Sequence, residues 1–443
     1  MSLAREFAPE PEPGPHAVPR RRAGPSRVWV LLLLTHAALL GLMLSRRLDF
    51  LFNDAMHRVG PASDFATYYV AGHNWLEGRS IYRGGYGFGY RYHPLFAMTA
   101  GAGLCHLPIR AAFALWVVLH ELLLLGDLWA LRILIPDGLR RRAFAALMLL
   151  FSPYYLEVYM GNASFVAASL LLFAFCLDRQ RGPVLQASRT ADSRRDWALV
   201  LLFVASIVVK PVGVVFLPLL LMRGRAAAAL GIGAAAAALA VPYFFRHPLD
   251  LGLFLTANLE GRAQGWVVHA GNQGLQGLLA AILTRASGIS TAELSSLSQL
   301  PAAARALLVA SQAAVAVLAL RASWRARERL GVGVFLGSCI YLLAFGEVWE
   351  HSYSILVLGL AFLWASDFVP PRLLLGCSIG LALPTAFALY DVALPPGGND
   401  PEHHWSLLVS VLHHATKPLF LAPLFAACVI RAERISGRRL PSG

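Results

Sequence analysis

Charge is scarce in this sequence. Only 14% of its 443 residues are Asp, Glu, Lys or Arg, while 57% are hydrophobic, and the mean hydropathy is +0.58. A soluble domain carries about a quarter charged residues, so this composition excludes an ordinary soluble fold and indicates a polytopic membrane protein. Acidic groups are scarcer than basic ones, 25 against 38, which leaves a net charge of +13. Lysine is nearly missing: Lys210 and Lys417 are the only two, and the other 36 basic residues are arginines. The surplus does not make a nucleic-acid-binding face, because the arginines fall in short clusters between apolar runs, as in cytoplasmic anchoring loops.

Other absences narrow the chemistry. The five cysteines, Cys105, Cys176, Cys339, Cys377 and Cys428, lie in apolar stretches with no CxxC and no Cys/His cluster. They read as small buried hydrophobes and not as disulfides or zinc ligands. No Gly-rich phosphate cradle is present; Gly84-Gly85-Tyr86-Gly87-Phe88-Gly89 reads as a flexible aromatic turn. No small-residue cleavage site follows the first apolar run, so that run reads as an anchor and not a cleaved signal.

What is there is a series of apolar runs punctuated by basic clusters: Arg20 to Arg27, Arg140 to Arg142, Arg179 to Arg195, Arg223 with Arg225, Arg321 to Arg329, Arg372, and Arg431 to Arg439. If each cluster is cytoplasmic, the runs between neighbours must come in even numbers. Three runs separate Arg27 from Arg140: 28–45, 94–107 and 112–135. The middle one is short, opens at Pro94 and closes at Pro108, so it is expected to be re-entrant or interfacial. The single run 197–222 is broken at Lys210-Pro211, and two half-passes meeting there keep both basic ends inside. The remaining passes follow at 143–159, 162–178, 226–245, 302–320, 330–346, 352–369, 373–390 and 405–430. The expected architecture is all-α, with about twelve transmembrane helices and both termini cytoplasmic. A disordered cytoplasmic tail (1–27) precedes a membrane domain (28–430), and a short tail (431–443) follows it. The outer loops are 46–111, 246–301 and 391–404.

The first outer loop concentrates the polar and aromatic residues. Ser63 is a plausible N-cap, and a helix from there to Gly78 places Asp64, Tyr68, Ala71 and Trp75 on one face. Asp64 then sits in the first turn, where the helix dipole favours the ionised carboxylate, a competent general base. An ordinary solvated aspartate fits the same residues. Lys210 is costly in apolar sequence unless it snorkels or meets an anion; a lipid-linked phosphate and plain snorkelling both fit. Asn272-Gln273 in the second outer loop offers amides suited to sugar hydroxyls, or simply begins a helix. Glu347-Val348-Trp349-Glu350-His351 crowds two carboxylates and a histidine at an outer helix end. His403-His404 and His413-His414 with Glu402 lack metal-ligand spacing on one helix face. Asn162-Ala163-Ser164 matches a glycosylation sequon but abuts a membrane helix.

Several of these pieces recur in a known order. They are Asp64…Tyr68-Tyr69-x-Ala71-Gly72…Leu76-x-Gly78…Tyr82, then Tyr92-x-Pro94-Leu95-Phe96, Met160-Gly161-Asn162, Lys210-Pro211…Leu217-Pro218-Leu219-Leu220, Asn272-Gln273-Gly274-Leu275 and Glu350-His351-Ser352-Tyr353. Taken together, over about 60–370, the chain resembles the family 87 glycosyltransferases, polyprenyl-phosphate-sugar-dependent membrane enzymes that include bacterial α-1,2-mannosyltransferases. His93, Asn162, Gly274 and Glu350 depart from the usual Tyr-Pro-Pro, Gly-Gln, Asn-Gln-Ser-Leu and His-His-Tyr elements, which marks a divergent version of the pattern.

The resemblance implies a GT-C fold and a sugar donor on polyprenyl phosphate. It implies transfer to a lipid or glycan acceptor at the outer face of the cytoplasmic membrane, with the first-loop aspartate as base. Carried onto this sequence, Asp64 is the expected base. Lys210 with Arg91 or Arg262 would meet the donor phosphate. Tyr68, Tyr82, Tyr92, Asn272, Gln273 and His351 would line the sugar and acceptor site. No metal and no cofactor are expected. Two rival readings remain open from the sequence: a transporter or flippase for a lipid-linked or anionic solute, which the lack of a visible internal repeat disfavours, and a ligase or polymerase of lipid-linked glycans.

Overall fold

The computed structural model describes residues 27–52, 60–83, 89–179, 193–260, 268–291, 294, 296–385 and 401–437. Arg262, the residues before Arg27 and most of the Gly84 to Gly89 turn lie outside these residues. Among the described residues all regular structure is helical. Four helices are long and apolar enough to cross a bilayer: Arg27–Leu44, Ile109–Leu134, Ala226–Arg246 and Ala302–Arg325. Two bent pairs, Gly138–Leu149 with Ser152–Met160 (40°) and Leu407–Ala415 with Pro418–Ile435 (52°), bring the number to six if each pair is one span.

Length and burial sort the helices oppositely. The four long helices bury only 11–33% of their most apolar windows, as expected of elements whose other faces meet lipid. The shorter Ser152–Met160 and Leu356–Trp364 helices are buried at every residue, and Leu330–Cys339 at every residue but Gly331. A helix apolar all round belongs in a core; Leu330–Cys339 and Leu356–Trp364 fit that description, and with Ser164–Arg179 they contribute many residues to the main hydrophobic cluster. Most of the shorter apolar runs expected to cross therefore appear as central helices, and the long ones form the perimeter.

The breaks fall where the sequence places them. Pro94 opens a helix to Leu104 that contains a π turn at Ala97–Gly101. The His93 side chain caps its start by accepting from the Leu95 N–H. The 197–222 run divides at Lys210: the Ser193–Val209 helix ends, Lys210 is extended (φ −151°, ψ 126°), and a 3-10 turn runs from Pro211 to Phe216 before the Leu217–Met222 helix. Proline cannot donate and cannot continue the first helix, so the chain turns there.

The helix bearing Asp64 runs Ser63–Leu76, with Gly78 (φ +71°) just beyond its end. Its cap differs from expectation. Ser63 is already helical, its hydroxyl buried without a partner, and the N-cap is Ala62 in the left-handed region (φ 61°, ψ 20°). The Ala62 N–H donates to the Tyr159 carbonyl at 2.8 Å, so a long-range tie fixes the helix start where a side-chain cap was expected. A non-glycine residue at positive φ costs about 1–2 kcal/mol, and here that strain adjoins Asp64.

Candidate active site around Asp64 and Asn162

Gly161 brings two distant segments together at the start of the Asp64 helix. It ends the Ser152–Met160 helix at φ +69°, and a Cβ at this position would stand 2.6 Å from the Phe65 Cβ. Only glycine accommodates both the left-handed backbone and that approach. The chain then delivers Asn162 directly to Asp64: the Asn162 Nδ2 donates to Asp64 Oδ2 at 2.6 Å. The same nitrogen lies 3.1 Å from His351 Nε2, which is itself 4.0 Å from Asp64 Oδ2. On its other side the Asn162 Oδ1 accepts from the Ala163 and Ser164 N–H groups, from the Ser164 hydroxyl and from Lys210 Nζ at 2.9 Å. Lys210 also donates to the Ser164 hydroxyl. Three distant parts of the chain thus converge on one carboxamide.

The electrostatics suit a base held in reserve. Burial pushes the Asp64 carboxyl above the usual carboxylate range, while the Asn162 hydrogen bond and the charges of Lys210 and Arg91 pull it back. Its side chain keeps 16% of its surface exposed, so a hydroxyl can approach it. Tyr68 donates to the Tyr92 hydroxyl at 2.8 Å, and the two rings meet edge-on at 4.7 Å. Burial raises both phenols, Tyr92 to about 12, so both remain protonated donors. Tyr82 donates to the Tyr92 carbonyl at 2.8 Å and packs on Tyr90, Tyr243, Phe244 and Phe254. It braces the Tyr92 segment.

Arg91 lies beside this wall, paired with Glu347 at 3.2 Å. Glu347 also accepts from the Trp349 indole at 3.0 Å. The crowded 347–351 cluster therefore divides. Glu347 and His351 face the site, whereas Glu350 turns away to Ser152, the Thr385 N–H and Lys417 at 3.1 Å. Asn272 and Gln273 are engaged by protein partners. Asn272 donates to the Gly346 carbonyl and accepts from the Gly274 and Val348 N–H groups. The Gln273 N–H donates to the Val348 carbonyl, and its amide nitrogen lies 2.6 Å from His413 Nε2. Both residues lash the segment beginning at 268 to the one that carries His351. His414 reaches Glu402 and the Asn272 carbonyl, and among the described residues no group of three His, Cys, Asp or Glu side chains is placed to hold a metal. Asn162 is buried, which removes the apparent sequon from any glycosylating enzyme.

The model of glycosyltransferase family 87 matches residues 90–346, more than half of the chain. The chain belongs to glycosyltransferase family 87. Family 87 membership and the apolar helices together make it a membrane glycosyltransferase. No curated protein sequence matches it. The span matched to family 87 takes in Arg91, Tyr92, Asn162, Lys210, Asn272 and Gln273, while Asp64, Tyr68 and Tyr82 precede it and His351 follows it. The link between Asp64 and the family 87 segment is therefore a matter of geometry, and Asn162 makes it. Sequence reasoning passed over Asn162 as a substitution. The usable signal was its place before Ala163-Ser164 and a long apolar run, the position of a helix-capping carboxamide.

Proposed function

We propose that the protein transfers a single hexose, mannose first among candidates, from a polyprenyl-phosphate donor to a hydroxyl of a lipid or glycan acceptor. The reaction takes place at the outer face of the cytoplasmic membrane, with inversion at the anomeric carbon and without a metal. The single observation that carries this reading is the joining of Asp64 to Lys210 through Asn162. A base for the acceptor and a cation for the donor phosphate belong to one hydrogen-bonded unit. The fold that goes with it is GT-C-like, with about twelve passes, the buried short helices counted among them.

In this mechanism Asp64 takes the proton of the acceptor hydroxyl while its oxygen bonds to the anomeric carbon. The bond from that carbon to the phosphate oxygen breaks with its electron pair, through a transition state of oxocarbenium character. The leaving polyprenyl phosphate is an anion already and needs no proton. Its developing charge is met by Lys210, whose ammonium has three donors with two engaged by Asn162 and Ser164, and by Arg91 on exchange from Glu347. Tyr92, which accepts from Tyr68, offers its own proton to a sugar hydroxyl. The Pro94–Leu104 helix supplies an apolar flank for the prenyl chain.

The test is transfer of radiolabelled sugar from polyprenyl-phosphate-mannose in membranes bearing the wild type or Asp64→Asn. The expected result is label in a new lipid or glycan with the wild type and a loss of about 10²-fold or more with the variant, the scale of general-base removal. Equal transfer by both would remove Asp64 from the mechanism. Solute counterflow without product would favour a transporter.

A further inference from the structure

We propose that Asn162 is the positioning residue of the reaction: one buried carboxamide that aims Asp64, fixes the tautomer of His351 and holds Lys210 in register with both. The inference rests on the reading of Asp64 as base and adds to it a residue that touches neither substrate.

The orientation of the Asn162 amide is set by its neighbours. The backbone N–H groups of Ala163 and Ser164 can only donate, and both point at one atom of the Asn162 side chain, at 2.7 and 3.0 Å. That atom must be the oxygen. Lys210, also a pure donor, lies 2.9 Å from the same atom. The amide nitrogen is then turned to Asp64 and His351, and its two protons serve one acceptor each. Asp64 Oδ2 takes the first at 2.6 Å. His351 Nε2, at 3.1 Å, must take the second, so Nε2 is the unprotonated nitrogen of a neutral ring. The proton resides on Nδ1, which is buried and lacks a hydrogen-bond partner. A protonated His351 would turn a donor against a donor and break the arrangement.

Two consequences follow for the chemistry. With Oδ2 occupied by Asn162, the proton from the acceptor goes to Asp64 Oδ1. His351 acts through Asn162 and not as a second base, because the lone pair of its Nε2 is already engaged. The chain of contacts also explains why segments 98 and 189 residues apart from their partners are brought to a common point. Each alone would leave a buried polar group unsatisfied.

The experiment compares the pH dependence of kcat in the full-length protein for wild type, Asn162→Asp and Asn162→Gln, with Asp64→Asn alongside. The groups facing Asp64 are Arg91, Tyr68 and Tyr92 from the first outer loop, Glu157 from the Ser152–Met160 helix, Lys210 from the broken hairpin, and Glu347 and His351 from the 346–355 segment. All remain in every Asn162 variant. Asn162→Asp keeps the shape and the oxygen that Ala163, Ser164 and Lys210 use, but replaces the donor to Asp64 with an acceptor. It should lower kcat about tenfold or more, the scale of one lost hydrogen bond to an ionised group, and move the acidic limb of the profile to higher pH. Asn162→Gln, which retains a carboxamide, should return the limb toward its wild-type position. A purely structural role would lower the amount of active protein in both variants and leave kcat per folded enzyme unchanged. That constant decides, because the limb shift in Asn162→Asp also carries the charge repulsion of the new carboxylate. An Asn162→Asp profile whose limb coincides with the wild type, while Asp64→Asn is inactive, would overturn the positioning role alone. Activity in Asp64→Asn would instead overturn the base on which it rests.

Discussion

Gly72 and Gly101 meet backbone to backbone. A Cβ at Gly72 would stand 2.2 Å from the Gly101 carbonyl carbon and 2.4 Å from its oxygen, and a Cβ at Gly101 would stand 2.8 Å from the Tyr68 carbonyl oxygen. The helix that carries Asp64 is thereby pressed onto the π turn of the Pro94–Leu104 helix without a side chain between them. The contact fixes the Asp64 helix and the Pro94–Leu104 helix as one unit.

Gly72→Ala should accordingly destabilise this unit. The atoms that a new methyl would meet belong to backbone, which cannot rotate aside, so the cost is that of overpacking, about 1–3 kcal/mol. Gly103→Ala, two residues past the contact, meets nothing within 4 Å and should stay within about 1 kcal/mol of wild type in either direction. Thermal unfolding of the two purified variants checks this: Gly72→Ala should melt lower than both wild type and Gly103→Ala, and equal melting temperatures would contradict the contact.

Much of the architecture was legible because it rests on local physics. Pro94, Pro211 and the basic clusters mark breaks that any chain must respect, and the short Pro94–Leu104 helix and the Lys210 turn occur where those residues stand. The crossing number was less accessible. Parity of charge counts passes without regard to length, and several of the counted runs are short helices buried on every side. At the site, residue types pointed to Asp64, Lys210, Tyr68, Tyr92 and His351, which the fold does gather. The partners that fix them were not legible, because hydrogen bonds such as Asp64 to Asn162 join residues 98 apart. Ser63 illustrates the limit. It is a good local cap, but the tie from Ala62 to Tyr159 overrides it. Glu350 illustrates another: it neighbours His351 in sequence, yet its carboxylate serves Lys417.

Donor binding should depend on Lys210 more than acceptor binding does. The ammonium lies next to Asn162 and Ser164, at the tip of an apolar hairpin where a lipid-linked phosphate would arrive. Lys210→Ala should raise the donor KM about tenfold or more, as for loss of a charge-assisted contact, and change the acceptor KM much less. Steady-state kinetics with each substrate varied in turn measures both. Equal effects on the two constants would make Lys210 a structural lysine.

Acid should silence the enzyme earlier than an ordinary carboxylate base would. Burial raises Asp64, and the base acts only when ionised, so the acidic limb of kcat/KM should lie above the usual range of about 4. Lys210 and Arg91 both favour the ionised form. Lys210→Ala should therefore carry the limb further upward in addition to its effect on the donor. A limb at or below about 4 in the wild type, or one that moves down in Lys210→Ala, would be incompatible with this assignment.

A second carboxylate should report on stability and not on rate. Glu402 is fully buried, 2.6 Å from Arg285 and 3.0 Å from His414 Nε2, and accepts from the Ser410 hydroxyl at 2.6 Å. Burial opposes its ionisation, but His414, Ser410 and Arg285 prevail and hold the carboxyl down to about 2. A carboxyl depressed on folding contributes stability that is fully present above its unfolded value of about 4.3 and fades as pH falls toward the folded value. Glu402→Gln removes the charge and leaves the half-buried Arg285 guanidinium without its counter-ion, at a cost of about 3 kcal/mol at neutral pH, the lower end for breaking a buried pair. The variant should also lose part of the acid sensitivity of the wild type between about pH 4.5 and pH 2, the interval over which this carboxylate alone differs between the two proteins. Melting temperatures of both proteins across that range supply the measurement. The curves should approach each other as pH falls, because protonating Glu402 in the wild type leaves the same neutral partner for Arg285 that the substitution creates. Parallel curves would mean that Glu402 does not hold its charge in the folded protein.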